Sequence, residues 1–184
     1  MNIKKDFILP IVVLSLICLF VSGALAIVNY YTDPVIKSAA KQRENDAMKE
    51  IIPHADEFIL LDINNIRLED NFPKTIASIY NTTNNAGYIF LVTTPGYGGE
   101  IKLICGITLD GKIIKTATLE HNETQGLGTP IFDQPHAGQY WGNDKAGIEE
   151  IDVISGATIT SNAYKNGIRD ALTAFEILKT KEAR

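Results

Sequence analysis

The sequence predicts an α+β protein in which an N-terminal transmembrane helix precedes an antiparallel-sheet domain flanked by helices. Three observations support this fold class. Residues 7–28 contain no charged side chain, residues 57–119 form short runs rich in β-branched and aromatic side chains, and apolar residues recur at helical spacing through 161–179. The expected division of the chain is a short tail (1–6), a transmembrane helix (7–28), a juxtamembrane helix (29–55) and a globular domain (56–184).

The apolar segment 7–28 is long enough to cross a bilayer. As a helix it would measure about 33 Å, against roughly 30 Å of hydrocarbon. A cleaved signal peptide is the alternative, because Lys4 and Lys5 precede the run and residues 24–26 (Ala-Leu-Ala) resemble a cleavage site. The run exceeds the usual length of a signal-peptide core and continues past that site, which favours an anchor. Basic residues lie on both sides, so charge does not decide the orientation.

A second helix is predicted directly after the apolar segment. Asp33 is suited to the N-cap and Pro34 to the first helical position, where its missing N–H group costs nothing. Apolar positions continue to about Ile52, and Pro53 ends the pattern. This segment is expected to be an amphipathic helix just outside the membrane.

The region after this helix predicts five strands with short connections, which favour antiparallel pairing. Asp110-Gly111 is a two-residue hairpin signal, and a glycine-rich turn covers residues 95–99. The predicted strands are 58–61, 76–81, 88–93, 101–109 and 113–119, and the final helix is predicted over 161–179. Cys18 and Cys105 are expected to be free thiols.

Composition and spacing exclude several kinds of function. With 17 Lys+Arg against 22 Asp+Glu, the chain lacks the basic excess needed to bind nucleic acid. The three histidines are far apart, and no nucleophile or phosphate-loop motif is present. His121 and Glu123 are better explained as a solvated loop pair than as metal ligands, so we expect neither a metal site nor catalytic residues. The irregular, glycine-containing stretch 121–150 is nevertheless long enough to indicate a functional loop.

The most informative segment is residues 152–158, Asp-Val-Ile-Ser-Gly-Ala-Thr, which leads from an extended segment into the final helix. A helix start of this kind directs several backbone N–H groups at one point and favours an anion. From spacing alone, a simpler interpretation is favoured, in which Thr158, Thr160 or Ser161 caps the helix.

Residues 152–158 resemble the flavinylation motif of the FMN-binding domain in the G subunit of Rnf electron-transport complexes and the C subunit of sodium-pumping NADH:quinone oxidoreductases. The resemblance extends to the N-terminal helix, to residues 96–101 and 109–113, and to residues 121–128, where Gln125 replaces a usual proline. It implies FMN joined through its phosphate to the Thr158 hydroxyl. It also implies a separate magnesium-dependent flavin transferase that uses FAD as donor.

The resemblance implies a set of cofactor-binding residues around Thr158. Leu127 could equally be an ordinary core residue, and Tyr140 with Trp141 is expected to pack the loop rather than stack on flavin. The expected set is Ser155, Gly156, Ala157, Thr160 and Ser161 near the phosphate, and Thr124, Gly126, Leu127, Gly98 and Gly99 near the ring.

The implied function is that of an electron carrier without a complete active site of its own. It would serve in a complex that couples electron transfer between ferredoxin and NAD to sodium or proton translocation. The implied partners are the other membrane and redox subunits, the flavin transferase and the lipid bilayer. The implied location is the cell (inner) membrane, with a single span and the FMN domain on the extracytoplasmic side.

Other functions remain open from the sequence. The chain is also compatible with the C subunit of the sodium-pumping quinone reductase or with a freestanding flavinylated carrier. A non-redox extracytoplasmic binding or sensor domain is a more distant alternative, in which residues 155–161 merely form a helix cap.

Overall fold

The computed structural model describes residues 3–64, 66–67 and 71–182. The chain divides into two compact units, Met1–Arg43 and Glu44–Arg184. Helix α1 (Ile3–Ile51) provides the first unit up to Arg43, and its last residues belong to the second. Within the described residues, α1 is long and apolar enough to cross a membrane, and the side chains of its most apolar part are not buried.

The predicted break between two N-terminal helices is wrong, because Pro34 lies inside α1. Asp33 is not an N-cap there, and its carboxylate instead pairs with Lys37 at 2.7 Å. The hydroxyl of Thr32 donates to the carbonyl of Val28 at 2.6 Å. A proline removes only one hydrogen bond from a helix, whereas an apolar span must keep its backbone groups paired internally. The predicted helix end near Ile52 is confirmed.

The second unit is built on an antiparallel sheet in which all five predicted strands are confirmed. Its spatial order follows the chain, so each strand pairs with the next one in sequence. The Asp110-Gly111 turn has the left-handed glycine (φ 80°) that such a hairpin requires. The strands are β1 (Phe58–Leu60), β2 (Ile76–Thr82), β3 (Tyr88–Pro95), β4 (Glu100–Ile107) and β5 (Ile113–Glu120).

Helices cover both faces of the sheet. The C-terminal helix α2 (Thr158–Glu182) packs on one face, and the last turns of α1 pack on the other through Met48 and Ile51. The approach of α1 is so close that a Cβ on Gly106 in β4 would lie 2.2 Å from Cγ2 of Ile51. The core under α2 is formed mainly by Phe90, Leu103, Cys105, Tyr164, Ile168, Leu172 and Phe175.

The segment between β5 and α2 is mostly irregular, with three short 3-10 turns at Thr129–Ile131, Ala137–Tyr140 and Gly147–Glu150. The buried ammonium of Lys165 fixes its final part by donating to the backbone carbonyls of Glu149 and Ile151. Tyr140 is buried against the ring of Tyr164, which confirms its expected packing role. This segment therefore packs against α2, and its final residues lead into the start of that helix.

Candidate functional site

A cavity of about 370 Å³ lies at the N-terminal end of α2. Six of the predicted site residues line it: Thr124, Leu127, Gly156, Ala157, Thr158 and Thr160. Sequence reasoning missed four other lining residues, namely Tyr97, Glu123, Gly128 and Ile159. The predicted residues Ser155, Ser161, Gly126, Gly98 and Gly99 are not among the lining residues.

Thr158 is the first residue of α2 and is exposed, three residues before the predicted helix start. Within the described residues its hydroxyl makes no hydrogen bond. The N–H of Ser161 bonds to the carbonyl of Ala157 at 2.9 Å, which closes the first helical turn. The N–H groups of residues 158–160 therefore have no intrahelical acceptor and give this end of α2 a partial positive charge.

The turn before α2 is locked by local hydrogen bonds. Gly156 adopts a left-handed conformation (φ 83°), and the N–H of Ala157 bonds to the carbonyl of Ile154 at 3.0 Å. The Ser161 hydroxyl accepts the N–H of Ile154 at 3.1 Å, so this buried side chain closes the turn instead of reaching the cavity. Hydrogen bonds therefore fix the backbone that directly precedes Thr158.

Glu123 joins three segments of the site through its carboxylate. One oxygen accepts the Gly98 N–H at 3.0 Å, and the other accepts the Thr160 hydroxyl at 2.6 Å. The side chain is buried, and Gly96 and Gly128 leave the space it needs. A Cβ at those glycines would lie 2.3 Å from its Oε1 and 3.0 Å from its Cβ, respectively. The glycine turn, the 121–128 loop and α2 are therefore held together by one carboxylate.

These contacts argue against the helix-cap interpretation for Thr160 and Ser161. In the described residues, neither Thr160 nor Ser161 caps the first turn of α2, because both hydroxyls are committed elsewhere. The ring of His121 accepts the Glu123 N–H at 3.3 Å and stacks on Phe132 at 4.6 Å, so its contacts are separate from those of the carboxylate.

An apolar rim surrounds the cavity. The side chains of Tyr97, Leu127 and Ile159 are 72%, 52% and 57% exposed, although all three are large and apolar. The interpretation of Leu127 as a core residue is therefore wrong. Apolar walls with a few convergent polar groups are typical of cofactor pockets.

The strongly perturbed titratable groups of the second unit lie outside this cavity. Burial raises the pKa of Cys105 and of Tyr140 to about 12, and it also raises the pKa of Tyr164. These groups are uncharged at neutral pH, and none of them lines the cavity. Their role is structural.

The fold and the cavity are compatible with a domain that binds a small cofactor. The free N–H groups at the start of α2 favour an anionic group, and the apolar rim favours an apolar one. The family model of the FMN-binding domain matches residues 96–173, which include the glycine turn, the 121–128 loop and the motif before α2.

The chain is similar along most of its length to proteins of membrane complexes. It is 32% identical to the G subunit of the proton-translocating ferredoxin:NAD(+) oxidoreductase complex of Clostridium ljungdahlii, with 86% of each chain covered. It is 29% identical to the G subunit of the Na(+)-translocating complex of Acetobacterium woodii, with 90% of each covered. The chain belongs to the family of G subunits of ion-translocating oxidoreductase complexes. Its apolar N-terminal helix agrees with association with a membrane.

Proposed function

We propose that this chain carries electrons within an Rnf-type ferredoxin:NAD oxidoreductase complex by means of FMN bound covalently to Thr158. The observation that supports the attachment most directly is the exposed, uncommitted Thr158 hydroxyl at the cavity and at the positive end of α2. The names of the relatives include both proton- and sodium-translocating complexes, so the proposal covers either ion.

Attachment is a phosphoryl-group transfer onto Thr158. The Oγ–P bond forms, the P–O bond of the pyrophosphate in FAD breaks, and AMP and the hydroxyl proton leave. Thr160 is unsuited to this role because it is 2% exposed and its hydroxyl already donates to Glu123. We infer that a separate flavin transferase activates the Thr158 hydroxyl, because an unassisted threonine hydroxyl is a poor nucleophile and this one makes no hydrogen bond to a base within the described residues.

The chain's own residues would bind and orient the group. The N–H groups at the start of α2 favour the negative phosphodiester, a placement worth about 0.3–1 kcal/mol. Tyr97, Leu127 and Ile159 would shield the ring from water. The bound flavin supplies the redox chemistry. The sequence has no dinucleotide fingerprint, so ferredoxin and NAD are assigned to neighbouring subunits.

Co-expression of the full chain with a flavin transferase tests the proposal. The wild-type band should fluoresce on a denaturing gel, and its mass should increase by that of FMN less one water. Thr158→Val should lose both signals, whereas the matched variant Thr160→Val should keep them. A dark wild-type band, or a fluorescent Thr158→Val band, would refute covalent attachment at Thr158. If the wild-type chain binds no flavin at all, a non-redox domain is favoured.

We further propose a single span at residues 7–28 in the cell (inner) membrane, with the FMN domain on the extracytoplasmic side. A covalent tether suits that side, because flavin lost there is difficult to recover. Asp110→Cys places a thiol on the exposed β4–β5 hairpin. An impermeant maleimide should label it in intact cells, and protection would refute this orientation. The parent chain is the control, since Cys105 is buried and Cys18 lies in the apolar segment.

A further inference from the structure

Glu123 places a buried carboxylate in the cavity at the start of α2. Its side chain is 8% exposed, and both oxygens accept hydrogen bonds from uncharged donors, Gly98 and Thr160. In the described part of the chain, no lysine, arginine or histidine forms an ion pair with it. Water screens the charge of a buried carboxylate less than that of an exposed one, so its effect on a neighbouring group is larger.

The carboxylate lines the same cavity as the proposed attachment point. Thr160 contacts it at 2.6 Å and lies in the same helical turn as Thr158, and both threonines line the cavity with Glu123. A group bonded to the Thr158 oxygen either enters this cavity or projects into solvent. In the cavity it shares the same walls as the buried carboxylate.

We propose that Glu123 is a positioning residue whose charge also lowers the reduction potential of flavin attached at Thr158. This inference rests on the proposed function. Reduction by two electrons with uptake of one proton gives the ring one net negative charge. A fixed negative charge nearby therefore makes reduction less favourable. For charges several ångströms apart in a protein interior, the effect is about tenfold or more in the ratio of oxidised to reduced flavin.

Three variants of Glu123 and its partner separate charge from geometry. Glu123→Gln removes the charge at nearly constant size, Glu123→Asp keeps the charge on a shorter side chain, and Thr160→Val cuts one hydrogen bond but leaves the charge. Leu127→Lys, with Leu127→Gln as its control, places a cation on the exposed rim without cutting either hydrogen bond.

The experiment is a potentiometric titration of the flavinylated full chain in detergent, followed by flavin absorbance. Glu123→Gln should shift the midpoint potential to a more positive value, by the equivalent of about tenfold in the ratio of oxidised to reduced flavin. Glu123→Asp and Thr160→Val should stay within about threefold of wild type, and Leu127→Lys should shift in the same direction as Glu123→Gln.

Several results would overturn the inference. An unchanged midpoint in Glu123→Gln is one. Shifts in Glu123→Asp and Thr160→Val as large as the shift in Glu123→Gln are another, since they would show an effect of geometry alone. If Glu123→Gln does not fold, an unchanged midpoint in Leu127→Lys is sufficient to reject it. Gel fluorescence is recorded first. Loss of covalent flavin from wild type rejects the proposed function, whereas attached flavin with no charge effect rejects only this inference.

Discussion

The hydrogen bond between Thr160 and Glu123 offers a direct test of what holds the site together. Valine has nearly the shape of threonine but replaces the hydroxyl by a methyl group. Thr160 is 2% exposed, so Thr160→Val leaves a buried carboxylate oxygen of Glu123 without the donor that now lies 2.6 Å away. Losing a hydrogen bond to a charged group costs about 1.5–3 kcal/mol. We therefore expect a loss of about 2 kcal/mol in the free energy of unfolding.

The magnitude can be measured through Trp141, the single tryptophan of the chain. It lies in the Glu44–Arg184 unit, where its indole N–H donates to the Thr116 hydroxyl at 3.3 Å, so its fluorescence reports unfolding of this unit. A unit of this size has an unfolding entropy of about 0.3 kcal/mol/K, and the expected decrease in Tm is about 7 °C.

The matched control is Thr158→Val, which removes an exposed hydroxyl that makes no hydrogen bond in the described structure. Its Tm should stay within about 2 °C of wild type, because surface substitutions usually change stability by less than 0.5 kcal/mol. Thr160→Ser keeps the hydroxyl and should recover most of the loss. A Tm for Thr160→Val within about 2 °C of wild type would refute the reasoning, as would an equal loss in both valine variants.

Two further predictions concern the loops around the site. Gly98→Ala should destabilise by more than about 2 kcal/mol in thermal unfolding, because its Cβ would lie 2.0 Å from the backbone oxygen of Asn122. Gly126→Ala meets no atom within 4 Å and should cost only about 1 kcal/mol for its positive φ, so equal losses would contradict this explanation. Burial and the charge of Lys165 lower the pKa of His136 below its ordinary 6.5, so the unfolded chain binds the proton more tightly. Stability should decrease as the pH falls through 6.5, and His136→Gln should flatten the dependence of Tm on pH between about 7.5 and 5, whereas an unchanged slope would remove His136 as its cause.

The sheet could be predicted from sequence because its signals are local. Each strand shows β-branched side chains between turn residues, and pairing follows chain order through short connections. The start of α2 was harder to predict. Residues 158–160 are two threonines and an isoleucine, which favour extended structure on their own. They are helical because the left-handed Gly156 and the Ser161 hydroxyl fix the turn before them.

The site was only partly predictable for a related reason. Thr158 lies in a contiguous motif, so the resemblance predicts it directly as the attachment residue. Glu123 lies in the stretch 121–128 that carries part of the resemblance, but its role was not predictable, because its carboxylate bonds to residues 25 and 37 positions away in the chain. The acidic residue in a glycine-containing loop was visible in the sequence, but its partners depended on tertiary packing. Tyr97 and Ile159 were missed because only the folded structure shows that their large, exposed side chains line one cavity.

The close approach of Ile51 to Gly106 determines where the chain can be cut to obtain the domain without its membrane segment. A fragment that begins in the loop after α1 would lose Met48 and Ile51 and uncover Ile89 and Ile104, which have 0% exposure in the intact chain. Such an apolar patch promotes aggregation. Glu44 also accepts a hydrogen bond from the Tyr80 hydroxyl at 2.9 Å. A soluble fragment therefore has to start within α1, at or before Glu44, and keep the last turns of that helix as part of the domain.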